Sequence, residues 1–306
     1  MNRDFLTLEG VSREELRTIL DLSRDYAAGL SEERPLSGRT VCLAFFESST
    51  RTAASFELAA RRAGADVVSL SQKGSSLSKG ESLVDTVVTL DRLGADALVL
   101  RHPAAGAASL AARHTGAAVV NAGDGCGQHP TQALLDLYAL AESWGGFDEL
   151  DGRRVAVVGD ILHSRVARSV IPAFRAAGME VSLVAPRTLL PREVEASWGL
   201  PVLGSVDDAV AWGAEALYAL RLQRERMTGA RVPSVAEYAA YYGVAERHLG
   251  PGMRVLHPGP VNRGVEISGD VVLDGRSLVP DQVSAGLSVR SAVLTLATGA
   301  RQEIPA

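Results

Sequence analysis

Strand-like and helix-like stretches alternate along almost the whole of this chain, and the alternation restricts it to an α/β fold with parallel sheets. Apolar runs read as strands at 41–46, 66–70, 97–100 and 117–121, with helical segments between them and Gly64, Gly94 and Gly116 at helix C-termini. Ahead of them, Ser12-Arg13-Glu14-Glu15 fits a capping box, and Leu16, Ile19, Leu20 and Leu22 continue a helical stripe. Pro130 opens a helix that runs to about Trp144, and Ala104–Ala112 reads as plain helix. The stretch 144–152 breaks the pattern. A second series starts at Arg154 and continues through 180–185, 201–203, 214–220 and 253–256, followed by a last helix at 281–298. The expectation is two tandem α/β domains with parallel sheets, joined near residues 130–150, and no repeat or heptad array.

In open parallel sheets, ligands bind beyond the carboxyl ends of the strands. The unusual polar residues fall at those ends. Glu47-Ser48-Ser49-Thr50-Arg51-Thr52 lies between the first strand and a helix at 53–60. A helix start offers unpaired backbone N–H groups and a positive dipole end, so hydroxyls and a guanidinium there suit phosphate or carboxylate. A single capping serine would mean little; five such residues in succession favour an anion site. Arg101-His102-Pro103, Asn121 to Gln132, Gly159 to Arg165, Arg221 to Arg226 and His257-Pro258-Gly259-Pro260 follow five further strands. Together they point to a cleft between the two domains.

Taken one at a time, these residues have ordinary readings. Arg101 alone suits a surface or an acid partner, but beside Ser49–Thr52 it is a second cation for one anion. His129 alone reads equally as structural or catalytic. At a helix start, with Gln132 three residues on, it can donate to a carbonyl oxygen, and Gln132 can hold an amide through its paired donor and acceptor. The polar loop 72–81 reads as an exposed connection, or as a lid delivering Lys79 to an anionic substrate. It is not a Walker loop, and Gly159 to Ser164 is not Gly-x-Gly-x-x-Gly. Cys126 and His129 lack a third zinc ligand nearby, and no Gly-x-Ser-x-Gly elbow is present. Cations and amides dominate, which favours binding two anionic reactants and stabilising charge over nucleophilic or metal chemistry.

The net charge of −5 argues against bulk attraction to nucleic acid or to an anionic membrane, so an anionic ligand must be drawn by local cations. Cys42 and Cys126 are too few and too differently placed for a disulfide framework, which suggests a reducing cytosol. The first residues lack an apolar signal core, and no apolar run approaches the ~18 residues of a membrane span. A cytoplasmic location is expected.

Ser49-Thr50-Arg51-Thr52, His129-Pro130-Thr131-Gln132 and His257-Pro258-Gly259-Pro260, in this order and spacing, resemble the aspartate/ornithine carbamoyltransferase superfamily. Arg221-Leu222-Gln223-Arg224-Glu225-Arg226 resembles the aspartate-binding segment of its aspartate carbamoyltransferase branch. Matching segments run from near residue 40 to the last helix.

The resemblance implies transfer of the carbamoyl group of carbamoyl phosphate to L-aspartate, giving N-carbamoyl-L-aspartate and phosphate, early in de novo pyrimidine biosynthesis. It implies a carbamoyl-phosphate-binding domain over 1–140, with a C-terminal helix at about 285–306 packing back on it, and an aspartate-binding domain over 141–284. Ser49, Thr50, Arg51 and Thr52 would hold the phosphate, with Arg101 assisting. Thr52, Arg101 and His129 would polarise the carbonyl oxygen; Gln132 and the backbone near Gly259 and Pro260 would position the amide end. Arg165, Arg221 and Gln223 would take the carboxylates of aspartate. Ser75 or Ser76, and Lys79, would enter from the neighbouring subunit of a homotrimer, placing the site at a subunit interface as well as in the cleft. The family uses no metal or organic cofactor, and the resemblance leaves open whether regulatory chains or a dihydroorotase partner attach.

Ala53 stands where many relatives carry arginine, which bears on a nearby ion pair more than on catalysis. A branch acting on ornithine typically carries His-Cys-Leu-Pro where this chain has His257-Pro258-Gly259-Pro260, and Arg221 with Gln223 suits a second carboxylate that ornithine lacks. A non-catalytic anion-binding module with the same fold is a further reading, against which intact Arg51, Arg101 and His129 stand.

Overall fold

The computed structural model describes residues 4–29, 34–71, 81–223 and 234–300. Ser75, Ser76 and Lys79, together with Arg224, Glu225 and Arg226, lie outside the described residues. In chain order the elements are α1 (Arg13–Ala27), β1 (Thr40–Phe45), α2 (Thr50–Arg62), β2 (Asp66–Ser71), α3 (Leu83–Arg92), β3 (Ala97–His102), α4 (Ala107–Ala112), β4 (Ala118–Asp124) and α5 (Pro130–Trp144). There follow β5 (Arg154–Val158), α6 (Arg165–Ala176), β6 (Glu180–Val184), α7 (Val194–Trp198), β7 (Val202–Leu203), α8 (Val206–Ala211), β8 (Ala216–Ala219), α9 (Val235–Tyr242), β9 (Arg254–Leu256), α10 (Gly269–Val272) and α11 (Val279–Ala297).

The chain divides into two compact units. One comprises the described residues of 1–9, 17–134 and 284–306, the other 10–16 and the described residues of 135–283. The first holds a four-stranded sheet in the order β2-β1-β3-β4, the second a five-stranded sheet in the order β7-β6-β5-β8-β9. Every pairing within them is parallel. Parallel strands carry helices on their faces, so their residues are apolar on both sides rather than alternating. In the first unit Cys42, Ala44 and Phe46 join Leu98, Leu100 and Val119 against Val87 and Leu90 of α3 and Ala107, Ala108 and Ala111 of α4. In the second, Ala156, Val158, Leu217, Ala219 and Val255 pack against Val206, Ala209, Ile267 and Val271.

Several boundaries beside the candidate site residues differ from the sequence expectation. β4 runs to Asp124 rather than ending at 121. Asn121 holds the extension together: its Oδ1 accepts from Gly123 N at 2.8 Å and its Nδ2 donates to Leu6 O and Asp124 Oδ1, both at 3.1 Å. α2 starts at Thr50, three residues earlier than expected, so Thr50, Arg51 and Thr52 form its first turn. α4 covers only the last 6 residues of 104–112, because Gly106 turns the backbone at φ +81 and its N–H is held by Asp124 Oδ2 at 2.6 Å.

Candidate active site

In the first unit the candidate residues gather at the carboxyl ends of β1, β3 and β4. Ser49 is the N-cap of α2 in extended backbone, and its carbonyl accepts from Ala53 N at 3.1 Å. Its hydroxyl makes no capping bond to the helix, while the first-turn N–H groups point out of the helix start. Thr52 is buried, and Arg51, one residue earlier, is exposed. Desolvation lowers the Arg51 guanidinium from its usual value, and it stays charged at neutral pH.

Arg101 is part of β3, not of the loop beyond it. It pairs in register with Phe45, and its carbonyl accepts from Phe46 N at 2.8 Å. This register carries its buried side chain to the start of the Glu47–Thr52 step. Arg101 Nη1 donates to Ala122 O of β4 at 3.2 Å, and Nη2 lies 3.6 Å from Glu47 Oε1. Glu47 was present in the sequence pattern without a role; a carboxylate directly before a hydroxyl-rich step is the signal that marks it.

The path from β4 to His129 is set by Asp124. Its Oδ1 accepts from Gln128 N at 2.6 Å, while Gly125 N donates to His102 O at 2.8 Å. The buried His129 follows immediately, and its carbonyl accepts from Gln132 N at 3.1 Å, so His129 caps α5. Gln132, also buried, lies in the first turn. Burial pulls His102 below its usual range, against the opposing influence of Asp124 and Glu47.

The remaining described candidates belong to the second unit. Arg165 is the first residue of α6, buried behind an N-cap in which Ser164 accepts from Ala167 N. Arg221 and Gln223 leave β8, with Arg221 Nη2 3.4 Å from Gln223 Oε1. Asp160, fully buried at the end of β5, joins these segments. Its Oδ2 accepts from Gln223 N at 3.1 Å, and its Oδ1 lies 2.9 Å from His163 Nδ1. Gly259 and Pro260 follow β9 and are joined by a cis peptide bond. Gly259 has φ +62, a conformation that favours glycine, and its N–H donates to His257 Nδ1 at 2.8 Å. β5, β8 and β9 are adjacent, so three successive strand ends carry the set. Among the described residues no group of three or more His, Cys, Asp or Glu side chains could hold a metal ion.

Two family models cover nearly all of this architecture. The carbamoyl-P binding domain of aspartate/ornithine carbamoyltransferase matches residues 3–142, and the Asp/Orn binding domain matches 151–297. The chain belongs to the aspartate/ornithine carbamoyltransferase family. Within the family it is 76% identical over 304 residues to an aspartate carbamoyltransferase catalytic subunit of Rubrobacter xylanophilus, covering 99% of each chain. Aspartate transcarbamoylase of Trypanosoma cruzi, solved with carbamoyl aspartate and phosphate, superposes with a TM-score of 0.85 at 32% identity, covering 96% of each chain; it is also solved with carbamoyl phosphate and aspartate. Ornithine carbamoyltransferase of Thermus thermophilus superposes at 0.84 and 28% identity, covering 97% of this chain and 99% of that one.

Proposed function

We propose that this chain transfers the carbamoyl group of carbamoyl phosphate to the amine of L-aspartate, giving N-carbamoyl-L-aspartate and phosphate. The reaction is an early step of de novo pyrimidine biosynthesis. The observation that carries the reading is the placement of guanidinium groups at strand ends and helix starts in both units: Arg101 with the α2 start in one, Arg165 at the α6 start and Arg221 beyond β8 in the other.

In this reading Ser49, Thr50, Arg51 and Thr52 bind the phosphate through hydroxyls, the guanidinium and the N–H groups of the α2 start, and Arg101 adds a second cation. Thr52, Arg101 and His129 donate to the carbonyl oxygen, and Gln132 with the backbone at Gly259 and Pro260 orients the amide. Arg165, Arg221 and Gln223 bind the carboxylates of aspartate. The amine attacks the carbonyl carbon; a C–N bond forms, the C–O bond to phosphate breaks, and the departing phosphate takes the amine proton. Binding both anions together supplies effective molarity, and the donors stabilise the tetrahedral oxyanion. Residues 1–140 and 141–284 serve the two substrates. Ser75 and Lys79 complete each site from the neighbouring subunit of a homotrimer, in the cytoplasm.

The test is phosphate release from carbamoyl phosphate with aspartate and, in parallel, with ornithine. Aspartate-dependent release with carbamoyl aspartate formed is the expected result. Release with ornithine alone would overturn the roles of Arg221 and Gln223, and release with neither would favour a binding protein.

A further inference from the structure

The second unit contains a buried chain of hydrogen bonds that ends on the backbone of the proposed amide subsite. It starts at Tyr218 of β8, whose hydroxyl donates to Asp136 Oδ2 of α5 at 2.5 Å. Asp136 Oδ1 accepts from Gln282 Nε2 of α11 at 2.6 Å. The other end of the same amide, Gln282 Oε1, accepts from His257 N at 3.0 Å. His257 Nδ1 accepts from Gly259 N at 2.8 Å, which assigns the proton of the neutral ring to Nε2. His257 Nε2 then donates to Glu266 Oε1 at 3.2 Å, and the same oxygen accepts from Asn262 N at 2.7 Å.

Every side chain in this series is at most 4% exposed. Polar groups at such depth are costly to leave without partners, so the chain resists rearrangement. Its chemistry is also specific. Gln282 bridges a carboxylate and a backbone N–H, which needs a donor at one end and an acceptor at the other. Glu266 accepts from both sides of the 257–262 turn, and so fixes the ring whose Nδ1 orients Gly259.

We propose that Gln282 and Glu266 are positioning residues for the carbamoyl end of the substrate: through His257 they hold the Gly259 backbone in the orientation that meets the substrate amide. The inference rests on the reading above, in which Gly259 and Pro260 contact that amide while the phosphate is held by Ser49–Thr52 and Arg101. It adds two residues that touch no substrate, with α5 and β8 anchoring the far end through Asp136 and Tyr218.

The two substrate ends give a readout that general destabilisation would not produce. Affinities for carbamoyl phosphate and for inorganic phosphate are measured by calorimetry on the full-length protein, its Glu266→Leu, Glu266→Gln and Gln282→Met variants, with thermal melts alongside. Glu266→Leu and Gln282→Met are expected to weaken carbamoyl phosphate by about tenfold and leave phosphate within about twofold. Glu266→Gln keeps the Oε1 acceptor and should retain carbamoyl phosphate affinity within about threefold of the parent. Should Glu266→Leu fail to fold, Gln282→Met carries the same test. Unchanged carbamoyl phosphate affinity in Gln282→Met, or equal loss of both ligands, overturns the inference while leaving the reading intact. A parent protein that does not distinguish carbamoyl phosphate from phosphate overturns the reading itself.

Discussion

At the scale of single residues, the candidate site is a set of donors with different electrostatic duties. Arg51 stands in the first turn of α2, where its charge adds to the helix dipole, so its loss should weaken ground-state binding of the phosphate and weaken the transition state, where the leaving phosphate gains charge, further still. His129 caps α5 from a buried position, and its proposed partner is an oxygen that gains charge only as the amine attacks. The two substitutions should therefore differ in kind. His129→Ala is expected to lower kcat by about 10²–10³, the cost of one oxyanion donor, with a smaller change in the KM values. Arg51→Ala should raise the KM for carbamoyl phosphate as well as lowering kcat, with circular dichroism unchanged. Steady-state kinetics against both substrates separates these outcomes, and a His129→Ala variant that changes KM alone would remove His129 from the transition state.

At the scale of elements, strand ends matter more than strand middles. Gly159 closes β5 at φ +121, and a Cβ there would approach Leu220 O to 2.7 Å and the Tyr238 hydroxyl to 2.9 Å. A backbone carbonyl cannot yield as a flexible side chain does, so Gly159→Ala should destabilise the fold by about 1–3 kcal/mol, read as a lower denaturant midpoint. The strand middles were legible because buried parallel strands are continuous apolar runs. Their ends were not: β4 continues to Asp124 because Asn121 supplies side-chain bonds that no apolar pattern encodes, and α2 takes Thr50–Thr52 into its first turn. The cations at strand ends were visible because charged residues stand out after apolar runs. Asp136, Gln282 and Glu266 did not, because their meaning lies in partners remote in the chain: Tyr218 is 82 residues from Asp136, and Gln282 is 146. The short turn Glu246–His248 supplies a further element-scale expectation. His248 is buried and its Nδ1 accepts from Ala245 N at 3.0 Å, so charging the ring would break that bond. Burial, assisted by Arg247, holds its pKa below the ordinary 6.5 despite Asp207. The unfolded chain therefore binds the proton first, and stability is lost as pH falls through about 6.5, with no effect above neutrality. Melting temperatures from pH 8 to pH 5 should fall less steeply for His248→Gln than for the parent; parallel curves would refute the linkage.

At the scale of the whole molecule, a chain of net charge −5 has to attract two anionic substrates, which places the burden on local cations rather than on the overall field. The proposed roles spread those cations widely, with Arg51 and Arg101 in one unit, Arg165 and Arg221 in the other, and Lys79 contributed by a second copy. Sharing of this kind makes a quantitative prediction, because Arg51 and Lys79 would then never serve the same site from the same chain. Arg51→Ala and Lys79→Ala proteins should each retain little activity alone. After unfolding together in equal amounts and reassembling at random, each site draws its two contributors independently, so about one quarter of sites should receive an intact Arg51 and an intact Lys79. Specific activity should recover to about a quarter of the parent value, and should vary with mixing ratio as the product of the two fractions. If both residues instead serve the site of their own chain, every site carries one lesion whatever the mixture, and verified mixed trimers would stay at that low level.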